Sequence, residues 1–188
     1  MGTRITPICI ADGPTLTGTT PASCVPLSCA RTVLDPYYWS PGKIWRLSMS
    51  GKHSTVVKSA RGDLDELPGS LRLDLRFGNV VAWDTLACLL DPLAAATDLP
   101  WTLDAEIRCN AVSDGLVTFT GSGLITGALS GIPASQPRAG ACAVVPWGTA
   151  PTAGASIDAR IGLPVDVFFT QTNPRGSFTV TKYSIEEI

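Results

Sequence analysis

From Lys43 to the C-terminus, apolar and polar residues alternate with period two, the pattern of strands with one buried face. Trp45, Leu47 and Met49 alternate with Arg46, Ser48 and Ser50. The clearest run is Ser70 to Phe77, where Leu71, Leu73, Leu75 and Phe77 share one face and Arg72, Asp74 and Arg76 the other. Gly78-Asn79 then turns the chain into a returning strand over Val80 to Trp83. Trp101, Leu103, Ala105, Ile107 and Cys109 predict another strand, alternating with Thr102, Asp104, Glu106, Arg108 and Asn110. Leu116 to Ile125 is the next, with Gly121 and Gly123 where a neighbour must approach closely or the strand must bend. Ala141 to Val145, Pro164 to Thr172 and Ser177 to Ile185 complete the series, the last two joined by the turn Asn173-Pro174-Arg175-Gly176.

Lys52 to Leu67 is a polar excursion, read as a loop with a strand over Ser54 to Val57. Short helices are entertained at two places, Thr85 to Leu90 and Pro92 to Ala96. About eight strands separated by turn signals predict an all-β, two-sheet sandwich of jelly-roll-like form, spanning residues 41–188. Residues 1–40 lack sustained periodicity, and Ala11 to Cys29 is rich in Thr, Pro, Gly and Ser. They predict an extended N-terminal arm, with a short strand over Ile5 to Ile10. Its apolar residues Ile8, Ile10, Val25, Leu27, Val33 and Leu34 would dock on neighbouring subunits, and the sandwich would fold without it.

Composition narrows the function classes. The 188 residues suffice for one domain with a sizeable core, 45% are apolar, and only 16% are charged. Mean hydropathy is +0.22. So little charge suits surface that is covered by other subunits, or an exterior of Ser, Thr and Gly. The net charge of -2 and the lack of Lys or Arg runs give nucleic acid no electrostatic footprint. No stretch approaches the roughly 20 apolar residues of a membrane span. The start, Met1 to Thr6, has no apolar signal core, so folding in the cytoplasm is expected. Its formal myristoylation match, Gly2 with Thr6, lacks a second anchoring signal.

The six cysteines contain no Cys-x-x-Cys pair, and the single His cannot complete the usual zinc sets. Cys109 and Cys142 read as small buried hydrophobes, and Cys24 and Cys29 would pair only after oxidation. Reduced thiols are expected throughout.

Candidate chemistry is sparse. His53 and Ser54 are adjacent, but neighbouring strand residues point to opposite faces and cannot share a proton. Neither Gly42-Lys43 nor Gly51-Lys52 lies in a phosphate-cradling loop. Asp63, Asp65 and Glu66 lack the spacing of a calcium loop, and a solvated loop explains them. Asp74 with Asp104, or Asp104 with Glu106, resembles the carboxylate pair of a glycosidase. Pairing with the interleaved Arg72, Arg76 and Arg108 explains these carboxylates more simply. Trp39, Trp83, Trp101 and Trp147 would form a sugar platform if exposed, though Trp at strand ends more often belongs to core or interface. No residue is therefore assigned as catalytic, cofactor-binding or metal-ligating, and no cofactor is expected.

Several segments together resemble a family of small β-proteins from tailed bacteriophages and prophages, virion or head/tail structural proteins. They are Ile44 to Thr55, Leu71 to Gly78, Trp101 to Arg108, Gly121-Ser122-Gly123, Val165 to Thr170, Ser177 to Val180 and Tyr183 to Glu186. The likeness is one of pattern and order over about three quarters of the chain. It implies a jelly-roll-like sandwich built into the virion, often as a homotrimer, with no catalytic residues to carry over. On that resemblance the chain is expected to decorate or cement a capsid, with the major capsid protein or other virion proteins as partners. Assembly would take place in the bacterial host cytoplasm. A tail, neck-fibre or baseplate component, including a receptor-binding head, is the alternative, and a carbohydrate-binding domain the second.

Overall fold

The structure is a computed structural model that describes residues 3–4, 9, 11–27, 29, 32–56, 69–90, 96–127, 141–147, 149 and 156–188. Among these residues there is no helix, and the strands fall into two antiparallel sheets that do not close into a barrel. Eight strands have five residues or more: β4 (Ile44–Thr55), β5 (Ser70–Phe77), β6 (Val80–Asp84), β8 (Ala96–Ser113), β9 (Leu116–Gly127), β10 (Ala141–Val145), β12 (Leu163–Gln171) and β13 (Ser177–Glu187). Five two-residue strands accompany them: β1 (Thr3–Arg4), β2 (Ala22–Ser23), β3 (Val33–Leu34), β7 (Cys88–Leu89) and β11 (Ile157–Asp158). The larger sheet runs β1-β13-β4-β8-β9-β10, with β11 also on β9. The smaller runs β2-β12-β5-β6, with β3 on β12 and β7 on β5.

The wrap is that of a roll. β4 pairs with β13 in one sheet and β5 with β12 in the other, so the first two long strands meet the last two. A complete jelly roll would continue the nesting, bringing β6 onto β10. Here β6 stays with β5 while β8, β9 and β10 form a meander in the opposite sheet.

The alternation seen in the sequence is the burial seen in the fold. Leu71, Leu73, Leu75 and Phe77 are buried on β5, and Trp101, Leu103, Ala105, Ile107 and Cys109 on β8. The close approach expected at Gly121 and Gly123 is present. A Cβ on Gly121 would lie 2.7 Å from Trp83 Cδ1 across the sandwich, and one on Gly123 would lie 2.4 Å from the Asp104 carbonyl on β8.

Two readings change, and a third lies almost wholly outside the described residues. The strand expected to end near Ser50 continues through His53 to Thr55, because β13 and β8 flank it along that length. Thr85 to Leu90 is not helical. Leu86 has a left-handed backbone (φ 55°), which a helix excludes, and Cys88–Leu89 returns to pair with β5. Of Pro92 to Ala96, only Ala96 is described, and it begins β8.

The N-terminal arm packs on its own sandwich. Cys9, Gly13 and Leu16 bond in succession to Tyr183, Val180 and Phe178 along the outer edge of β13. Ala22–Ser23 and Val33–Leu34 then pair with β12 at the edge of the other sheet. One stretch thus covers an edge of each sheet, and it buries Cys24, Val25, Leu34 and Trp39 in the core. Of the expected docking residues, Val25 and Leu34 are spent on this internal packing, whereas Leu27 and Val33 are exposed. Ile8 and Ile10 lie outside the described residues, as does the strand expected over Ile5 to Ile10 except Cys9.

The cysteine reading is also corrected. Cys29 forms a disulfide with Cys9, not with Cys24. Cys24 is fully buried beside β12, where its thiol donates to the Val167 carbonyl at 3.3 Å. Cys109 is buried as expected, but Cys142 is exposed. Ala143 and Val145 take the inward positions of β10, which leaves Cys142 and Val144 pointing out.

Candidate binding face

The two sheets turn their outer faces to opposite sides, and the carboxylates singled out above are divided between them, Asp74 on the smaller sheet and Asp104 and Glu106 on the larger. On the smaller sheet, Asp74 is clamped by two arginines of its own strand, Arg72 Nε at 2.5 Å and Arg76 Nη2 at 2.7 Å. Arg72 also reaches Asp84 at 2.8 Å, and the Arg76 guanidinium lies 4.2 Å from the Phe168 ring centroid. The Asp74 side chain retains only 3% of its exposure beneath these partners. Beside it, Ser23 donates to Asp166 at 2.8 Å, and the Val167 amide donates to the same oxygen.

On the larger sheet, Asp104 is 48% exposed and paired with Arg46 of the neighbouring strand, whose Nε donates at 2.8 Å. This pairing holds the Asp104 carboxyl below its ordinary pKa. Arg46, Asp104 and Glu106 line a shallow open depression of about 300 Å³ with Ser122, Gly123 and Leu124. Asp74 and Asp104 therefore cannot act on one substrate, because the thickness of the sandwich separates them. Asp104 and Glu106 share a face, two residues apart on β8. Of the arginine pairing expected for these carboxylates, Asp74 has Arg72 and Arg76, though along its own strand, and Asp104 has Arg46 in place of Arg108.

The remaining candidates also have definite places. His53 is buried on the inner face of β4, whereas Ser54 points outward and accepts from the Asp98 amide at 3.1 Å. Burial pushes the His53 pKa down to about 4, so the imidazole is neutral at pH 7. Neither His53 nitrogen has a hydrogen-bond partner among the described residues, and neither does Trp101 Nε1. Trp39, Trp83 and Trp101 are buried and Trp147 partly so, which makes them core residues and not an exposed platform. Gly42, with Pro41, closes a turn in which Lys43 N bonds to the Ser40 carbonyl, and its φ of 88° is what glycine permits. Asp63, Asp65 and Glu66 lie outside the described residues.

A feature that sequence reasoning missed lies at the far side of the larger sheet. Leu124 of β9 is 50% exposed and sits directly across from Val144 of β10, which is 66% exposed. Cys142 continues this apolar strip at the next outward position of β10. The alternation of Cys142 and Val144 with Ala143 was the available signal, but five apolar or small residues in succession hid which pair faced out. Compared with protein-family models, with curated proteins and with solved structures, the chain has no significant match in any of the three.

Proposed function

We propose that this chain is a structural protein of a bacteriophage virion, acting as a capsid decoration or cement protein that binds the major capsid protein as an oligomer. One observation carries the assembling role. Asp104 on one broad face and Asp74 and Asp84 on the other are each paired with arginine within the chain, while Leu27, Val33, Tyr37, Leu124, Val144 and Ile161 remain exposed. A surface of this kind gains from being covered by protein, since apolar area removed from water contributes roughly 25 cal/mol per Å². A cement protein uses such gains between capsomers. The virion assignment and the homotrimer rest on the resemblance of the strand segments described above.

Mass spectrometry and cryo-EM of particles assembled with and without the chain test the proposal. Many copies on the shell support it. A handful of copies at the tail, neck or baseplate transfers the chain to the alternative role, and absence from particles overturns both. Among the described residues, the depression lined by Arg46, Asp104, Glu106 and Ser122 favours the carbohydrate-binding reading. A glycan array on the purified chain tests that reading, with binding lost in Asp104→Ala as its expected signature.

A further inference from the structure

Three of the four outer sheet margins carry a device that discourages strand addition. The arm lies along β13 and along β12, covering one margin of each sheet with short, interrupted pairings. At the third, the β5–β6 ladder has a register break between Leu75 and Arg76, and β6 ends on the charged Asp84. Among the described residues, β10, at the fourth margin, has none of these. It pairs with β9 through five unbroken positions, from Ala141↔Gly127 to Val145↔Gly123, and contains no charged residue. Among the described residues its other side has no strand partner. Natural sheets guard such edges with charge, proline, bulges or a covering segment, because an unguarded row of N–H and C=O groups templates another strand.

We infer that β10 is the contact through which two copies of this chain pair, antiparallel, about a twofold axis at Ala143. The second copy is the occupant that the strand itself specifies. An isologous contact needs a segment complementary to itself, and Ala-Cys-Ala-Val-Val has no charge to oppose its like and no large side chain to clash. Directly opposed residues in an antiparallel pair point to the same face, so an axis at a residue position is required. Centring on Ala143 sets Ala141 against Val145 and Cys142 against Val144, using all five residues. Centring on Val144 would set Cys142 against Pro146, which has no N–H to donate. Pairing at Ala143 also makes the Leu124–Val144 strip of one copy continuous with that of the other, giving Cys142 and Val144 cross-strand apolar neighbours. The contact requires nothing of the virion, so it stands or falls separately from the proposed function. It gives the free chain a dimer and not the trimer that the resemblance implies.

Sedimentation velocity on the full chain tests the dimer. Two variants test the strand. Val144→Cys sets its new thiol opposite Cys142 of the second copy, and mild oxidation should give a covalent dimer linked between positions 142 and 144. The double variant Cys142→Lys/Val144→Lys opposes like charges twice across the axis. Both native residues are exposed, so its circular dichroism should be unchanged while the dimer is lost. A monomer at about 100 µM, where any Kd below that value would populate the dimer, overturns the inference. So does a dimer or trimer that survives the double lysine variant, or a Val144→Cys cross-link confined to one chain. A wild-type dimer linked Cys142 to Cys142 overturns the register.

Discussion

The core has two aromatic halves that are packed alike and satisfied differently. In one, Trp39, Trp45, Phe77 and Phe119 meet with ring centroids 4.5–5.7 Å apart. Its fully buried Trp45 reaches a partner at the rim: Trp45 Nε1 donates to Tyr38 Oη at 3.0 Å, and Tyr38 Oη donates to Glu187. Lys43 closes the network, 3.3 Å from Glu187 and 3.7 Å from the centre of the Tyr38 ring. Burial and the Glu187 carboxylate hold the Tyr38 hydroxyl well above its ordinary pKa. In the other half, Trp101 stacks on Phe178 and Phe178 on Phe169, with centroids 4.4 and 4.1 Å apart. His53 lies directly across from Phe178 on the neighbouring strand, and its two nitrogens and Trp101 Nε1 have no partner among the described residues. Gly51 lets this half pack so closely, since a Cβ there would lie 1.9 Å from the Thr179 carbonyl. Equal apolar burial therefore does not mean equal stability. A buried polar group left unpaired costs about 1–3 kcal/mol, whereas a paired one contributes about 1 kcal/mol.

The largest effect should come from removing residues 1–40. That deletion takes Trp39 from the satisfied half, strips Cys24, Val25 and Leu34 from the core, and uncovers the edges of β12 and β13. A chain beginning at Pro41 should lose cooperative unfolding in a thermal melt. A sharp transition near that of the parent would show that the arm is a covering and not part of the core.

Next in size is a pH effect from the unsatisfied half. His53 has a folded pKa of about 4, below the 6.5 of the free side chain. As pH falls from about 6.5 to 4, the unfolded chain takes up a proton that the folded chain does not. Stability should therefore drop by about 3 kcal/mol over that window, with no His53 contribution above it. Urea unfolding at pH 7 and pH 5 should show the slope, and His53→Leu should remove it while raising stability at both values. Identical slopes in parent and variant would remove His53 from the account.

Tyr38→Phe should cost about 1–2 kcal/mol by urea unfolding, because it leaves Trp45 Nε1 without its acceptor and Glu187 with Lys43 alone. Trp101→Phe removes an N–H that has no such partner, so any loss there should come from volume alone. The smallest effect belongs to the exposed outer face. Asp104→Ala should cost under about 1 kcal/mol, as exposed pairs do, and Asp74→Ala more, because it leaves two arginines facing each other over a site that is nearly closed.

Much of the fold was legible before any coordinates. The strand Ser70 to Phe77, the hairpin at Gly78-Asn79 and the inward set from Trp101 to Cys109 are as expected. Period-two alternation depends only on which face of a strand loses water, and that is written residue by residue along the chain. The same local rule placed His53 and Ser54 on opposite faces of β4.

What alternation cannot carry is the identity of the neighbour. Asp74 and Asp104 look equivalent in sequence, each acidic among apolar residues, yet the wrap of the chain puts them on opposite exteriors with different partners. Cys29 lies five positions from Cys24 but pairs with Cys9, because side-chain direction and a separation of 5.7 Å between α-carbons decide a disulfide. The arm, aperiodic in sequence, became two sheet margins because β12 and β13 offered unpaired backbone for it to bond. By itself the sequence determined which side chains turn inward, since that follows from local chemistry. Which sheets, edges and partners they meet was decided by the tertiary structure alone, since those contacts join residues far apart in the chain.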